Sequence, residues 1–306
     1  MRHLSGLVVI LCAASFYSEI VSAQTDDEVI TVDSSIVVMN VSVTDAAGKA
    51  VRALKQDHFH VFEDGVEQTI ASFGSEETPF AAVILLDTSG SMEQRVTLAR
   101  AAAITFLDGL RANDVAALYN FDSKVSMVQD FSNSRDLREQ AFDLKANGMT
   151  VLNDAVYKAG ELLSRRPEKR RAIVVLSDGA DTMSGKTADK ALKAAMAVNA
   201  TIYTVDMSAS EDISAAKRQN QNVLKNFAEK TGGKFVATPG GLAMREAFKR
   251  IAEELGVQYT ITYSPTNTVK DGKWRALELR VSKPNLTIRT RKGYNAAKGQ
   301  SRRAIG

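Results

Sequence analysis

Apolar positions between residues 80 and 257 come in two alternating kinds. Short apolar runs at 81–86, 115–121, 125–131, 172–176, 202–205 and 234–237 have the length and β-branched content of strands. Between most of them lie longer stretches with helical spacing, at about 94–110, 151–164, 187–199, 215–231 and 242–255. The exception is Asp122-Ser123-Lys124, a connection so short that the third run must return antiparallel and form an edge. Alternating strands and helices predict a mostly parallel sheet covered on both faces. Six strands suit the doubly wound order 3-2-1-4-5-6, whose crevice opens between the first and fourth strands.

Outside 80–257 the period becomes two. Val37, Met39, Val41 and Val43 alternate with Val38, Asn40, Ser42 and Thr44, and the segments 59–62 and 66–70 surround an Asp64-Gly65 turn. On the far side 259–263, the alternating Leu277, Leu279 and Val281, and 286–291 after Pro284-Asn285 repeat the pattern. Neither flank can cover its own apolar face, whereas together they offer about six or seven strands, enough for a small sandwich. The expected organisation is a doubly wound, Rossmann-like α/β domain at 80–257 inserted into a small β-sandwich. Residues 24–79 and 258–294 supply the sandwich, and a basic flexible tail, 295–306, follows.

The first residues read differently. Arg2 and His3 precede an apolar run at 7–16, and Val21-Ser22-Ala23 has the small residues of a cleavage site, so 1–23 reads as a signal peptide cut between Ala23 and Gln24. The run is well short of the roughly 20 residues a spanning helix needs. Cys12 is the one cysteine, and Leu11 stands where a lipoprotein signal carries Gly, Ala or Ser. The mature chain is therefore expected to be secreted or periplasmic, without disulfides, and to draw its stability from a sizeable core. A net charge of +3 is no nucleic-acid footprint. The basic runs at 165–171 and from Lys292 to Arg303 read as solvated faces and leave a peripheral contact with an anionic envelope surface open.

The chemistry lies at the ends of two strands. Asp87-Thr88-Ser89-Gly90-Ser91 follows the first apolar run, and its i, i+2, i+4 spacing on a turning loop can converge a carboxylate and two hydroxyls on one hard cation. Ser177-Asp178-Gly179 ends the fourth run, and Asn147-Gly148-Met149-Thr150 precedes the helix between the third and fourth. These three segments resemble the metal-ion-dependent adhesion site of von Willebrand factor A domains. The resemblance covers about residues 80–257 and implies Asp87, Ser89, Ser91, Thr150 and Asp178 as metal ligands. Asp154, Ser177 and Gly179 are candidates for a supporting layer around them, with helix capping the alternative role for Asp154. The flanks, in Asp57-His58-Phe59, Phe62-Glu63-Asp64-Gly65-Val66, Asp271-Gly272-Lys273-Trp274-Arg275 and Arg291-Lys292-Gly293-Tyr294, resemble secreted A-domain-related proteins of acidobacteria.

Two carboxylates leave a divalent cation formally neutral and electrophilic. Mg²⁺ is the first choice for so small an oxygen site, with Ca²⁺ and Mn²⁺ as alternatives. The expected function is a secreted, non-enzymatic adhesion or interaction module whose partner, a protein or surface polymer, completes the coordination with an acidic residue. A metal-dependent hydrolase and an envelope scaffold with a purely structural cation are the alternatives. Glu93 and Asp181 are the acids near the site left over for a general base. Ser184-Gly185-Lys186-Thr187 imitates the end of a phosphate-binding loop, but its first glycine would have to be residue 180, which is Ala180, so nucleotide binding is not expected. His58 and His60, two apart and expected on one strand face, lack a third zinc ligand.

Overall fold

The computed structural model describes residues 36–74, 78–92, 95–135, 149–208, 214–237 and 241–297, with the side chain of Ser91 outside the description. Residues 1–23, where a signal peptide is expected, Glu93, Asn147, Gly148 and the tail beyond residue 297 lie outside the described residues.

The described residues begin with four strands, β1 (Val37–Thr44), β2 (Phe59–Glu63), β3 (Val66–Gln68) and β4 (Ile70–Gly74). The α/β unit follows as β5 (Phe80–Asp87), α1 (Val96–Asp108), β6 (Val115–Phe121), β7 (Val125–Ser132), α2 (Leu152–Ser164) and β8 (Arg170–Ser177). It continues with α3 (Ala188–Ala197), β9 (Ala200–Asp206), α4 (Ala215–Thr231), β10 (Phe235–Ala237) and α5 (Gly241–Gly256). Four more strands end the described residues, β11 (Tyr259–Tyr263), β12 (Trp274–Val281), β13 (Thr287–Arg289) and β14 (Gly293–Asn295).

All eight residues of β5 are buried, as expected of a central parallel strand with a layer on each face. Alternation divides them between two cores. Phe80, Ala82, Ile84 and Leu86 pack with α1 and α5, and Ala81, Val83 and Leu85 pack with α2, α3 and α4. The sheet order is β10-β9-β8-β5-β6-β7, with β7 antiparallel to β6 at the edge. This is the expected doubly wound order, and it puts the crevice between β5 and β8. The register pairs Leu86 with Leu176, so Asp87 lies opposite Ser177.

The flanks form two four-stranded sheets, β13-β1-β11-β4 and β14-β12-β2-β3, each mixing strands from both ends of the chain. Val37, Met39, Val41, Val43, Tyr259, Ile261 and Tyr263 share one core with Phe59, Val61 and Leu277. Eight strands replace the expected six or seven. The chain from 66 to 74 is two strands, because Thr69 falls outside both ladders and the chain changes sheet there. Gly293–Asn295 adds the eighth by pairing with β12. The two histidines do not share a strand face. His58 ends a short 3₁₀ turn and its Nδ1 accepts from Lys55 N at 2.9 Å, while His60 lies in β2 with its Nδ1 2.9 Å from Glu67 Oε1.

Polar contacts join the sandwich to the sheet end where the parallel strands begin. Arg170, fully buried, donates to Thr260 Oγ1 and Thr78 O, each at 3.2 Å. Arg111 donates to Thr78 O at 3.1 Å and Gly256 O at 2.9 Å, and Asp114 holds its guanidinium. Gln258 Nε2 bridges Ser42 Oγ and Tyr203 OH, Tyr203 OH donates to Glu254 Oε1, and Arg289 donates to Glu254 Oε2. The opposite end of the sheet, where Asp87 and Asp178 lie, carries none of these junction contacts.

Candidate metal centre

Asp87 is the last residue of β5 and has no exposed surface. Its Oδ1 accepts from Ser89 N at 2.9 Å and its Oδ2 from the Ser177 hydroxyl at 2.6 Å, and the Ser89 hydroxyl bonds the same carboxylate. Burial pushes the carboxyl up from 3.8 to about 6; the three Ser donors oppose that rise, and the nearby Asp178 charge adds to it. Among the described residues its hydrogen-bond donors are the Ser89 amide and the Ser89 and Ser177 hydroxyls, all neutral. A buried carboxylate served only by neutral donors and facing a second carboxylate is the arrangement that a bound cation relieves.

The loop around Asp87 is anchored to β6. Thr88 N donates to Phe121 O at 2.8 Å, and the Thr88 hydroxyl accepts from Asn120 Nδ2 at 3.1 Å, which fixes where Ser89 points its buried hydroxyl. Gly90–Met92 then turns as a 3₁₀ helix, so Ser91 is one turn on, with its side chain outside the description.

Across the crevice, Ser177 ends β8 and Asp178 begins the loop, partly exposed, with Oδ1 accepting from Ala180 N at 3.0 Å. Gly179 has φ +83°, and a Cβ there would lie 2.6 Å from Asn220 O on α4. Its N–H donates to Ser177 Oγ at 2.9 Å, so it orients the hydroxyl that bonds Asp87.

Thr150 is buried before α2, and its backbone is clamped. Its N–H donates to Thr182 Oγ1 at 2.9 Å, and its carbonyl accepts from Thr182 N at 2.9 Å and Met183 N at 3.1 Å. Asp181 and Asp154 reinforce this clamp. Asp181 Oδ2 accepts from Asn153 N at 2.7 Å, in the first turn of α2, and from Ser184 Oγ at 2.7 Å. The Asp154 carboxylate accepts from Gly185 N and Lys186 N at 2.9 and 2.8 Å. Asp154 therefore does not cap its own helix, and ties the loop after β8, which clamps Thr150, to α2. The amides of Gly185 and Lys186 are thereby taken up by a carboxylate. A third strand-terminal acid, Asp206, has its oxygens engaged by Ser208 N at 2.8 Å and Gln221 Nε2 at 2.6 Å.

The structure thus gathers Asp87, Ser89, Thr150 and Asp178 at one end of the sheet, all with hard oxygen donors. Among the described residues no group of three His, Cys, Asp or Glu side chains is poised for a metal, which is expected where hydroxyls make up half of the set. The sequence did not single out Thr88 or the capping role of Asp181. Their one signal is position, inside the Asp87–Ser91 turn and three residues after Asp178.

Residues 82–180 match the von Willebrand factor type A domain family. No curated protein is similar enough in sequence to count as a relative. Among solved structures, the chain is similar to a von Willebrand factor type A structure from Catenulispora acidiphila at 15% identity and TM-score 0.51, covering 88% of this chain and 76% of that one. That share exceeds the type A segment, so the shared fold takes in part of the sandwich. The chain is also similar to the PilB minor pilin from Streptococcus sanguinis, at 15% identity and TM-score 0.46, covering 60% of this chain and 62% of that one. The pilus adhesin SpaC from Lactobacillus rhamnosus GG in its open conformation is similar at 10% identity and TM-score 0.49, covering 85% of this chain and 48% of the adhesin. This chain therefore spans under two thirds of the length of either pilus protein.

Proposed function

We propose that this chain is a divalent-cation-dependent binding module, secreted or held in the cell envelope, whose partner contributes a carboxylate to the bound ion. One observation carries the reading. Asp87 is a fully buried carboxylate with neutral donors only, opposite the partly exposed Asp178 at the open end of the crevice. Asp87, Ser89, Ser91, Thr150 and Asp178 would hold the ion, with Mg²⁺ ahead of Ca²⁺ and Mn²⁺ for a compact oxygen set. Bound there, it supplies an electrophilic position that an outside carboxylate completes. Ser177 and Gly179 support the set by orienting Asp87, and Asp154 and Asp181 hold the Thr150 segment in place.

Binding is favoured over hydrolysis because the described acid left over for a general base, Asp181, already accepts from Asn153 N, Ser184 N and Ser184 Oγ. Export is supported by the apolar segment ahead of Ala23. No helix among the described residues is long and apolar enough to cross a membrane.

Isothermal titration with Mg²⁺ and Mn²⁺ tests the reading. The protein should bind one ion, and Asp178→Ala, which removes one of two opposing charges, should lose at least about a hundredfold in affinity while keeping its fold. Equal affinity in the variant, or no binding by either protein, would reject it.

A further inference from the structure

Exposed large apolar side chains in the α/β unit are not scattered. Among the described residues of that unit they are Met149, Met183 and Leu242, at 54%, 55% and 76% exposure, and Met127 at 55%. Met149 precedes Thr150, Met183 lies in the loop after β8, and Leu242 begins α5 after β10. All three belong to segments leaving the end of the sheet that bears Asp87, and Met127 lies on the edge strand β7, paired with Tyr119 two residues from that end. The backbone that carries the two methionines is joined at Thr150. Met149 adjoins the residue whose carbonyl accepts from Thr182 N and Met183 N, and the Asp181 and Asp154 contacts fix the same loop to α2.

Such fixation runs against the usual fate of solvent-facing methionines, which are flexible and cost little when left free. Two thioethers presented on clamped backbone beside a carboxylate-seeking position form a surface with an apolar part and a charged part, as in a protein interface built around a polar anchor. A bound cation would make the anchor complementary to an acidic side chain, and the thioethers would cover its apolar neighbours. Resting on the carboxylate reading above, we infer that the partner is a polypeptide segment in which an exposed Asp or Glu is flanked by an aliphatic or aromatic residue. The Met149 and Met183 side chains pack on that neighbour and select for it.

An array of nonapeptides with a central Asp or Asn, and each flanking position varied through all residue types, tests this with full-length protein in Mg²⁺ or in chelator. Wild type should prefer central Asp in Mg²⁺ alone, and should bind peptides with Leu, Phe or Tyr beside it about tenfold more strongly than those with Ser or Gly. Met149→Ser/Met183→Ser, at half-exposed positions, should keep Mg²⁺ affinity by calorimetry and the preference for Asp over Asn while losing the preference for apolar neighbours. Central-Asp binding indifferent to its neighbours, or an apolar preference that survives the double substitution, would overturn this inference and leave the carboxylate reading standing. Stronger competition by a soluble polyuronate than by the best peptide would overturn the polypeptide occupant. Absence of any Asp-over-Asn preference in Mg²⁺ would overturn the carboxylate reading itself.

Discussion

Ser177 donates its hydroxyl to Asp87 at 2.6 Å across the crevice between two neighbouring parallel strands, and Gly179 N–H holds that hydroxyl from behind. The bond requires a carboxylate kept in place by its own loop, and it joins the two halves of the site before any ligand arrives. Its energetic setting leads to the first prediction.

Burial raises the Asp87 carboxyl from 3.8 to about 6, so ionising it opposes folding. Each tenfold difference in proton affinity between the folded and unfolded chain is worth about 1.4 kcal/mol. In chelator the Asp87 contribution to stability should therefore be greatest below about pH 4 and fall by about 3 kcal/mol as pH rises through 6. Asp87→Asn lacks this dependence. Its metal-free melting temperature at pH 7.5 should exceed that of wild type by several degrees, while the rise that saturating Mg²⁺ gives wild type should vanish. Scanning calorimetry of both proteins at pH 4, 6 and 8, with and without Mg²⁺, checks the sign.

Thr150 separates fold from site. Its backbone makes the three clamp bonds, so Thr150→Ala should leave stability within about 0.5 kcal/mol by urea unfolding. Mg²⁺ affinity should nevertheless drop by about tenfold or more in calorimetry.

Gly179→Ala should cost stability and metal affinity together. A Cβ placed 2.6 Å from Asn220 O at a φ of +83° forces the β8 loop and α4 apart, at a cost of about 2 kcal/mol or more. The midpoint of urea unfolding should fall, with weaker metal binding following from a displaced Asp178.

Strand β11 lies between β1 and β4 in one sheet. Ending the chain after Gly256 therefore removes a central strand and should expose the inner face of β1. Limited proteolysis should then cut within residues 36–74 and spare the α/β unit, whose two cores are its own. Protection of 36–74 in that truncation would show that the first flank folds alone.

Much of this site was legible because its carboxylates end strands whose burial is written as continuous apolar runs, and a doubly wound order then sets Asp87 beside Ser177-Asp178. Thr88, Asp181 and Arg111 were not legible. Thr88 and Arg111 work through carbonyls distant in sequence, Phe121 O for one and Thr78 O and Gly256 O for the other, and Asp181 through the amide of Asn153. No residue pattern advertises a backbone partner. The flank strands were miscounted where the ladders shrink to three residues, as in β3 and β14, too short for a period to register. His58 defied the strand reading because its ring closes a local turn with Lys55 N.

Both covalent connections between the α/β unit and the sandwich leave from the end of the sheet remote from Asp87, and Arg111 grips a carbonyl in each, Thr78 O and Gly256 O. Tension applied by something held at the site would thus divide between two parallel tethers clipped to one guanidinium. Neither strand β4 nor strand β11 could be peeled from its sheet alone while that clip held. The sandwich would act as an anchor that shares such a load between its two ends of chain.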